Sequence, residues 1–299
     1  MNLNQLKYFY VVCECGSLSD ASAFLYISQP SLSAAIKALE EEFGVSLFTR
    51  HHQGMVLTKE GKILYEMCQD ILARTEQLES IMKDLGNNRH KLRLGIPPMI
   101  GSLILPFIYC GFCQKHPDIT LEIVEAGRGE LLDKLSKSYL DMVFLLQNKP
   151  LDAKYEIIKL TQSELLCCVS NNNILAKQSS ISPTDLKETA LVLYENSFFQ
   201  TEEIKSWFSQ ENVNCNIILQ TNQLSSMLSM ISNNVAVGFT LKELAETYQD
   251  FTAIPTKNPI YVDVSLVWKK DSYKFTSMEK FKNYVIENNP FTRIEKSSK

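Results

Sequence analysis

Residues 18 to 50 carry two short apolar patterns separated by the turn sequence Ser28-Gln29-Pro30. Apolar side chains recur three or four residues apart on both sides of this turn, which predicts two short amphipathic helices that pack together. We expect Ser28 to cap the second helix, and Pro30 suits its first turn because an N–H there would have no partner. Gly44 is expected to end this helix. The segment therefore predicts a helix-turn-helix, which places the start of its second helix in the major groove of DNA.

The predicted buried faces leave the start of the second helix polar. They consist of Ala21, Phe24, Leu25 and Ile27 before or within the turn, and of Leu32, Ile36, Leu39 and Phe43 in the second helix. Beyond Gly44, two short extended runs flank Gln53 and Gly54, which predicts a β-hairpin wing. The residues expected to contact DNA are Ser28, Gln29, Pro30, Ser31, Ser33, Lys37, Arg50 and His52.

This stretch resembles the LysR-type transcriptional regulators, whose motif has a Ser-Gln-Pro turn, a Leu-Glu pair, Leu-Gly-x-x-Leu-Phe-x-Arg and Leu-Thr-x-x-Gly. The matching positions are Leu25, Ser28-Gln29-Pro30, Ser33, Ile36, Leu39-Glu40, Phe43-Gly44, Leu47-Phe48, Arg50, Leu57-Thr58 and Gly61. The segment from Leu92 to Phe144 is similar to the first half of the family's effector domain. The resemblance implies a winged helix-turn-helix, a long linker helix and a two-lobed α/β effector domain like periplasmic binding proteins. It also implies that a small molecule in the cleft between the lobes alters DNA binding or bending at a promoter.

The charge of the N-terminal segment is unusual for a DNA-binding domain. The whole chain has a net charge of −4, and residues 1 to 60 contain four lysines or arginines against six acidic residues. Cations that neutralise phosphates supply most of the non-specific affinity for DNA. We therefore expect weak non-specific binding, with base contacts carrying more of the affinity.

The expected cellular compartment is the cytoplasm. The N-terminus lacks the charged leader and apolar core of a signal peptide, and no apolar run is long enough to cross a bilayer. The eight cysteines are then expected to stay reduced.

Cys110 and Cys113 form a CxxC inside a predicted helix, without the further ligands that zinc would need. We expect no metal and no cofactor. A redox-responsive regulator is the alternative, acting through Cys110, Cys113, Cys167, Cys168 or Cys215.

Residues 59 to 88 form the predicted linker and dimerisation helix. Apolar positions in this segment alternate spacings of four and three residues, which is typical of a coiled-coil seam. The expected dimerisation residues are Leu64, Cys68, Ile71, Leu78, Met82 and Leu85, with Thr75 also in the seam. A helix docked on its own domain is the alternative. In a dimer, two winged domains would read two half-sites of a roughly palindromic operator. The family implies a tetramer of two dimers.

From Lys91 onward strands and helices alternate, which predicts an α/β fold with largely parallel sheets. The predicted domains are 1–58 for the winged helix-turn-helix, 59–88 for the linker and 89–299 for the effector domain. Its first lobe would comprise about 89–162 and 268–299, and its second lobe about 163–267. The crossings are expected near Thr161 to Glu164 and near Leu266 to Lys269.

Loops after strands are the expected effector site, because ligands of such folds bind beyond the carboxyl ends of strands, beside helix N-termini. The amides near Gly101 and Ser102 could receive a small carboxylate, so we expect an anionic effector. The candidate residues are Pro98, Met99, Ile100, Gly101, Ser102, Arg128, Gln147, Asn148, Asn196, Ser197, Thr221 and Asn222. Taken singly, polar residues at such positions are more often turn formers.

An enzyme is not expected, because the histidines form no catalytic triad and no carboxylate pair can be argued. They are His51 and His52 in the wing, His90 at the hinge, and His116. A solute-binding protein is an alternative of a different class, but the N-terminal DNA reader favours a regulator. The expected partners are double-stranded promoter DNA, a small-molecule co-inducer and further copies of the chain. RNA polymerase is a further partner that such a regulator could contact.

Overall fold

A computed structural model of the protein describes residues 1–51, 54–86 and 91–292. The chain forms two compact units, Met1–Lys83 and Asp84–Lys299. Within the described residues, no helix combines the length and the apolar character needed to cross a bilayer. The elements up to the end of the linker are α1 (Leu3–Cys15), α2 (Leu18–Leu25), α3 (Gln29–Phe43), β1 (Phe48–His51), β2 (Gly54–Leu57) and α4 (Lys59–Leu85).

The predicted helix-turn-helix and the hairpin wing are confirmed in the first unit. Ser17 is the N-cap of α2 and Ser28 is the N-cap of α3. Each serine accepts a hydrogen bond from a backbone N–H in the first turn of its helix. Helix α3 ends at Gly44, whose φ of +66° suits a residue without Cβ. Strands β1 and β2 pair antiparallel. The fully buried core includes Phe9, Val12, Ala21, Leu32, Leu39 and Cys68.

Two aromatic side chains that the sequence pattern places in the core lie elsewhere. Phe24 is 69% exposed and Phe43 is 41% exposed. Helix α2 has only eight residues, and Ala21 is its one fully buried position. A helix this short presents too little surface to bury every residue of its apolar stripe.

The motif Leu57-Thr58-x-x-Gly61 fixes the start of α4. The Thr58 hydroxyl donates to the Ser46 carbonyl at 2.7 Å and accepts the Gly61 N–H at 2.9 Å. A Cβ on Gly61 would lie 2.1 Å from the Leu47 carbonyl oxygen. Only glycine allows the chain to pass this closely, which gives the motif its physical reason.

The second unit is a two-lobed α/β structure. Its strands are β3 (Lys91–Ile96), β4 (Thr120–Glu125), β5 (Met142–Gln147), β6 (Tyr155–Ser170), β7 (Ala190–Tyr194), β8 (Asn216–Thr221), β9 (Gly238–Leu241), β10 (Phe251–Ile254) and β11 (Ile260–Lys269). Its helices are α5 (Pro98–Phe107), α6 (Arg128–Ser136), α7 (Phe199–Gln210), α8 (Leu224–Ser232), α9 (Lys242–Ala245) and α10 (Thr276–Glu287). A π-helical segment, Ile108–Cys113, continues α5, and 3-10 turns occupy Ile174–Lys177 and Pro183–Leu186.

The prediction of largely parallel sheets is wrong. The main sheet has the order β10-β6-β11-β5-β3-β4, with β9 also paired to β6, and β7 pairs with β8 separately. Among the strands that the structure describes, only the pairs β3–β4, β3–β5 and β7–β8 are parallel, while every pair that involves β6 or β11 is antiparallel. A buried strand has the same apolar composition in either direction, so the sequence pattern does not report its orientation.

The long strands β6 and β11 run through both lobes. The first lobe contains β3, β4 and β5 with α5, α6 and α10, and the second lobe contains β7 to β10 with α7, α8 and α9. The register of the β6–β11 pair shifts between Val264 and Ser265. Strand β11 already pairs with β5 of the first lobe at Asp263, before the crossing predicted at 266–269. The predicted domain bounds stay predictions.

Candidate functional site

The start of α3 presents the polar surface that the sequence predicts. Ser28 accepts the Ser31 N–H at 3.2 Å, and the two hydroxyl oxygens lie 2.7 Å apart. Gln29, Pro30 and Ser31 are exposed, and Leu32 behind them is fully buried. Ser28 therefore fixes the beginning of the helix, while the Gln29 amide is the group best able to pair with a base edge.

The remaining predicted contacts along α3 are less accessible or less charged. Ser33 is half-buried. The Lys37 ammonium is exposed and lies 3.4 Å from the Glu41 carboxylate, which is one helical turn further along α3. The two form a solvent-exposed salt bridge. Such a pair is weak, but it offsets part of the positive charge that Lys37 offers to a phosphate.

The wing is only partly within the described residues. The backbone of Arg50 lies in β1 opposite Met55, but its side chain and the whole of His52 lie outside the described part of the chain. Glu40 holds the chain that leads into the wing, because its carboxylate accepts the Leu47 N–H at 2.7 Å and the Phe48 N–H at 3.4 Å. Sequence reasoning missed this contact, although the Leu-Glu pair of the motif marked the position.

Tyr26 is a second residue that sequence reasoning missed. It ends α2 with a φ of +55°, and it is 96% exposed. A left-handed backbone is costly for a residue other than glycine, asparagine or aspartate. An aromatic residue in a turn two positions before Ser28 was the available signal. The phenol stands beside the start of α3 in sequence and is free to meet a phosphate.

The predicted dimerisation face of α4 needs correction. Cys68 is fully buried in the core of the first unit, and Leu64 packs against that core. Neither side chain is available for a seam with a second copy. The exposed apolar side chains of α4 are Ile63, Met67, Ile71, Leu78, Met82 and Leu85.

A cavity of about 400 Å³ lies between the two lobes of the second unit. The first lobe lines it with Pro98, Ser102, Glu125, Ala126, Gly127 and Glu130. The second lobe lines it with Glu195, Ser197, Phe198, Asn222, Gln223, Leu224 and Ser225. The structure therefore brings four of the predicted residues together, namely Pro98, Ser102, Ser197 and Asn222.

The other predicted residues of the first helix do not line the cavity. Met99, Ile100 and Gly101 are buried, and Met99 accepts a hydrogen bond from the Gln200 side chain at 3.8 Å. The Gly101 N–H donates to the Pro97 carbonyl at 2.8 Å. It is therefore not free to receive a carboxylate. Because α5 already begins at Pro98, Met99 and Ile100 fall on its buried face, while Pro98 and Ser102 fall on the face that lines the cavity.

The remaining predicted residues already have protein partners. Gln147 donates to Ser265 at 3.2 Å. Asn148 donates to Glu203. Asn196 accepts from Lys205 at 2.6 Å, and Thr221 accepts from the Gln223 N–H at 3.1 Å. These contacts position the loops around the cavity.

Arg128 is a special case among the predicted residues. Its guanidinium carbon lies 5.5 Å from the centre of the Phe199 ring. Its Nε is buried and has no hydrogen-bond partner among the described residues. Arg128 does not belong to the lining, so its charge is not placed to pair with an anionic effector in the cavity.

The cavity lining is acidic. It contains Glu125, Glu130 and Glu195 and, among the described residues, no lysine, arginine or histidine. The predicted anionic effector fits this lining poorly, because like charges repel. Sequence reasoning missed all three glutamates since none belongs to a motif. Their positions at the end of a strand, just after a strand or in the first turn of a helix were the available signal.

Four of the five cysteines considered for a redox role have a raised thiol pKa, and the fifth is exposed. Cys167 and Cys168 are fully buried, and burial raises the pKa of both thiols. Burial also raises the pKa of Cys113 and Cys215. Cys110 is exposed on the π-helical segment. Because the thiolate is the reactive form, these environments do not favour the redox alternative.

Two family models match the chain. The model for the "Bacterial regulatory helix-turn-helix protein, lysR family" matches residues 3–62. The model for the "LysR substrate binding domain" matches residues 86–290. Together they cover both the helix-turn-helix with its wing and the two-lobed unit that holds the cavity.

Individual relatives agree with these matches. The uncharacterized HTH-type transcriptional regulator YwbI of Bacillus subtilis is 28% identical over 279 residues, which is 91% of this chain and 92% of the relative. The crystal structure of CbnR, a LysR family transcriptional regulator, superposes with a TM-score of 0.72 at 20% identity, covering 96% of this chain and 99% of CbnR. Full-length CbnR complexed with its target DNA gives a TM-score of 0.73. At this identity the structural likeness concerns the fold.

Proposed function

The chain belongs to the LysR family of transcriptional regulators, which are not enzymes, and we propose how it performs that function. It binds its operator through the start of α3, and a small molecule in the cavity between the lobes changes that binding. The observation that carries this proposal is the presence in one chain of an exposed polar start of α3 and a cavity lined by both lobes.

The first step is base reading by α3. Gln29 is exposed in the first turn, and the buried Leu32 and Leu39 anchor the opposite face of the helix. A glutamine can form two hydrogen bonds with adenine in the major groove. Ser31 and the exposed Tyr26 hydroxyl would then contact phosphates, which position the helix without reading sequence.

The second step is assembly of the protein on DNA. The exposed apolar side chains of α4 support a dimer, since a long helix with such a face is stabilised by covering it. A dimer places two copies of α3 on two half-sites. A tetramer of two such dimers and a contact with RNA polymerase are further parts of the proposal.

The third step is coupling to the effector. A ligand shifts an equilibrium only when it binds one state more tightly than the other. Residues of both lobes line the cavity, so a ligand that touches both would favour the closed arrangement of the lobes. We propose that this closure alters how the subunits pack and so changes the bend or spacing of the bound DNA.

The experiment measures anisotropy of a labelled duplex from the intergenic region upstream of the protein's own gene. The full-length protein is expected to prefer this duplex over random competitor DNA. Gln29→Ala should cost about 1 to 3 kcal/mol and relax the preference for bases in the half-site. Arg50→Ala should weaken binding to all sequences and flatten its salt dependence.

Asn4→Ala is the matched control, because Asn4 is exposed on α1 and outside the predicted interface. It is expected to bind as the native protein does. Equal affinity for the upstream duplex and for random DNA would contradict the proposal. So would an unchanged base preference in the Gln29→Ala variant.

A further inference from the structure

The carboxylates of the cavity come from both lobes. Glu125 and Glu130 belong to the first lobe, at the end of β4 and in the first turn of α6, and Glu195 follows β7 in the second lobe. No cationic side chain among the described residues lines the same space. The two lobes therefore face each other across the cavity with charges of the same sign.

We propose, on the basis of the function above, that the effector is a small organic cation that carries ammonium or guanidinium groups. Such a ligand would attract the glutamates of both lobes at once. Each positive group can form charge-assisted hydrogen bonds with a carboxylate, and these are stronger than bonds between neutral groups. The cavity volume of about 400 Å³ is within the range of small-molecule sites.

The nearby positive features do not reverse this charge. The Arg128 guanidinium lies over the Phe199 ring, outside the lining. Lys134 lies 3.5 Å from the Glu130 carboxylate, but this solvent-exposed pair of one helix is weak and leaves Glu125 and Glu195 unaffected. Helices α5, α6 and α8 begin at the cavity after Pro97, Gly127 and Gln223, without a side-chain cap. Each helix start contributes roughly half a positive charge, which is less than one carboxylate. These amides suit the polar, hydrogen-bond-accepting end of the same ligand.

A buried and unpaired hydroxyl lies next to the acidic wall. Tyr194 is only 1% exposed, and its hydroxyl has no hydrogen-bond partner among the described residues. Its ring lies 4.8 Å from the ring of Phe198, which lines the cavity. Burial, and after it the nearby charge of Glu125, raises the pKa of the Tyr194 phenol. Tyr194 does not itself line the cavity, so its unpaired phenol is a polar neighbour of the lining residue Phe198.

Phe198 adds an aromatic wall to the acidic one. It is 3% exposed and belongs to the lining. A cation over an aromatic face is stabilised by the electrons of the ring. The combination of carboxylates and an aromatic ring therefore favours an organic cation over a neutral sugar or an anion.

A bare metal ion fits less well than an extended organic cation. Within the described residues, no group of three His, Cys, Asp or Glu side chains lies close enough to hold one ion. Glu125, Glu130 and Glu195 therefore do not form a three-ligand metal site. Separate positive groups on one organic molecule can reach separate carboxylates.

The charge pattern also explains how binding would close the lobes. Without a cation, Glu195 repels Glu125 and Glu130 across the cavity. A bound cation replaces this repulsion by attraction to both lobes. All three carboxylates are exposed, so the effect should weaken as salt is raised.

The test uses the full-length protein and three probes of similar length, namely 1,4-diaminobutane, 1,4-butanediol and succinate. Binding is measured by calorimetry and by thermal unfolding at constant pH and ionic strength. Only 1,4-diaminobutane is expected to bind saturably and to raise the unfolding temperature. Glu195→Gln and Glu130→Gln should each weaken this binding about tenfold, because each removes one charge and keeps the side-chain shape.

Glu202→Gln is the control, because Glu202 is exposed on α7 and does not line the cavity. It should bind the diamine as the native protein does. No saturable binding of the diamine, tighter binding of succinate, or native affinity in both cavity variants would each overturn the proposal. Selective DNA binding measured in parallel shows whether only this ligand class fails or the regulatory function as well.

Discussion

Gly127 and Ser197 bring the two lobes into direct contact. A Cβ on Gly127 would lie 2.8 Å from the carbonyl oxygen of Ser197 and 2.9 Å from its hydroxyl oxygen. Distances this short are too close for non-bonded contact, so a side chain at position 127 would push the lobes apart. Both residues line the cavity, and their contact therefore belongs to the arrangement in which the cavity is formed.

We expect Gly127→Ala to destabilise this arrangement of the lobes. Overpacking of this kind costs about 1 to 3 kcal/mol. Gly129→Ala is the matched control, because a Cβ at Gly129 in the same helix would meet no atom within 4 Å. Small-angle scattering should show a larger radius of gyration for Gly127→Ala than for Gly129→Ala. Identical scattering would contradict the contact.

Glu40 is expected to stabilise the chain that leads into the wing. Glu40→Ala removes the acceptor of the Leu47 and Phe48 N–H groups, and loss of such a partner costs about 1 to 3 kcal/mol. Denaturant unfolding should show a lower midpoint concentration for the unit Met1–Lys83, which contains Glu40. Glu41→Ala is the control, since the one ion pair of Glu41 among the described residues is the exposed pair with Lys37. Equal midpoints for the two variants would mean that the Glu40 contacts contribute nothing.

The exposed face of α4 predicts a dimer that a single charge would weaken. Leu78 is 59% exposed, and Leu78→Lys would place a charge in an apolar seam. Light scattering should then report a species nearer the chain mass of 34.1 kDa than that of a dimer. The neighbouring exposed Glu79 provides the control variant Glu79→Lys, which should leave the native mass unchanged. A native protein that is already monomeric would contradict the proposed dimer through α4.

Glu243 predicts a pH-dependent stability. It is 6% exposed and accepts a hydrogen bond from Ser163, and burial raises its pKa above the ordinary range. The folded protein thus favours the protonated acid, so this contribution to stability is present at low pH and is lost as pH rises through the raised pKa. Glu243→Gln, which stays neutral, should be more stable than the native protein near pH 8.

Thermal unfolding across pH checks this expectation. The advantage of Glu243→Gln should shrink as the pH falls to about 5, where the native glutamate is increasingly protonated. The exposed Glu188 provides the control Glu188→Gln, which should show no such trend. A constant difference at all pH values would remove titration of Glu243 as the cause.

Much of the DNA-reading unit could be predicted because its signals are local. Ser28 caps α3 by accepting the N–H of Ser31, which is three residues away, and Gly44 ends the same helix. The prediction of the dimerisation face was partly wrong, because it depended on which surface the apolar side chains of α4 pack against. The spacing of Leu64 and Cys68 predicts a seam, but it does not say that the seam is filled by the protein's own core.

The effector cavity was predictable in position but not in chemistry. Loops after strands were the correct region, and four of the candidate residues line the cavity. The burial of Met99 and Ile100 follows from the rotation of α5, which the sequence does not reveal. The acidic character arises because Glu195 of the second lobe lines the same cavity as Glu125 and Glu130, which come much earlier in the sequence.

The sequence by itself determined the family, the helix-turn-helix and the ends of its helices, because caps, glycines and prolines act through neighbours within one turn. Only the tertiary structure decided the antiparallel pairing of β6 and β11, the inward face of α4 and the charge of the cavity. Periodicity reports that a side chain is buried or exposed. It does not report which distant residue lies opposite, and that choice sets both the topology of the sheet and the electrostatics of the site.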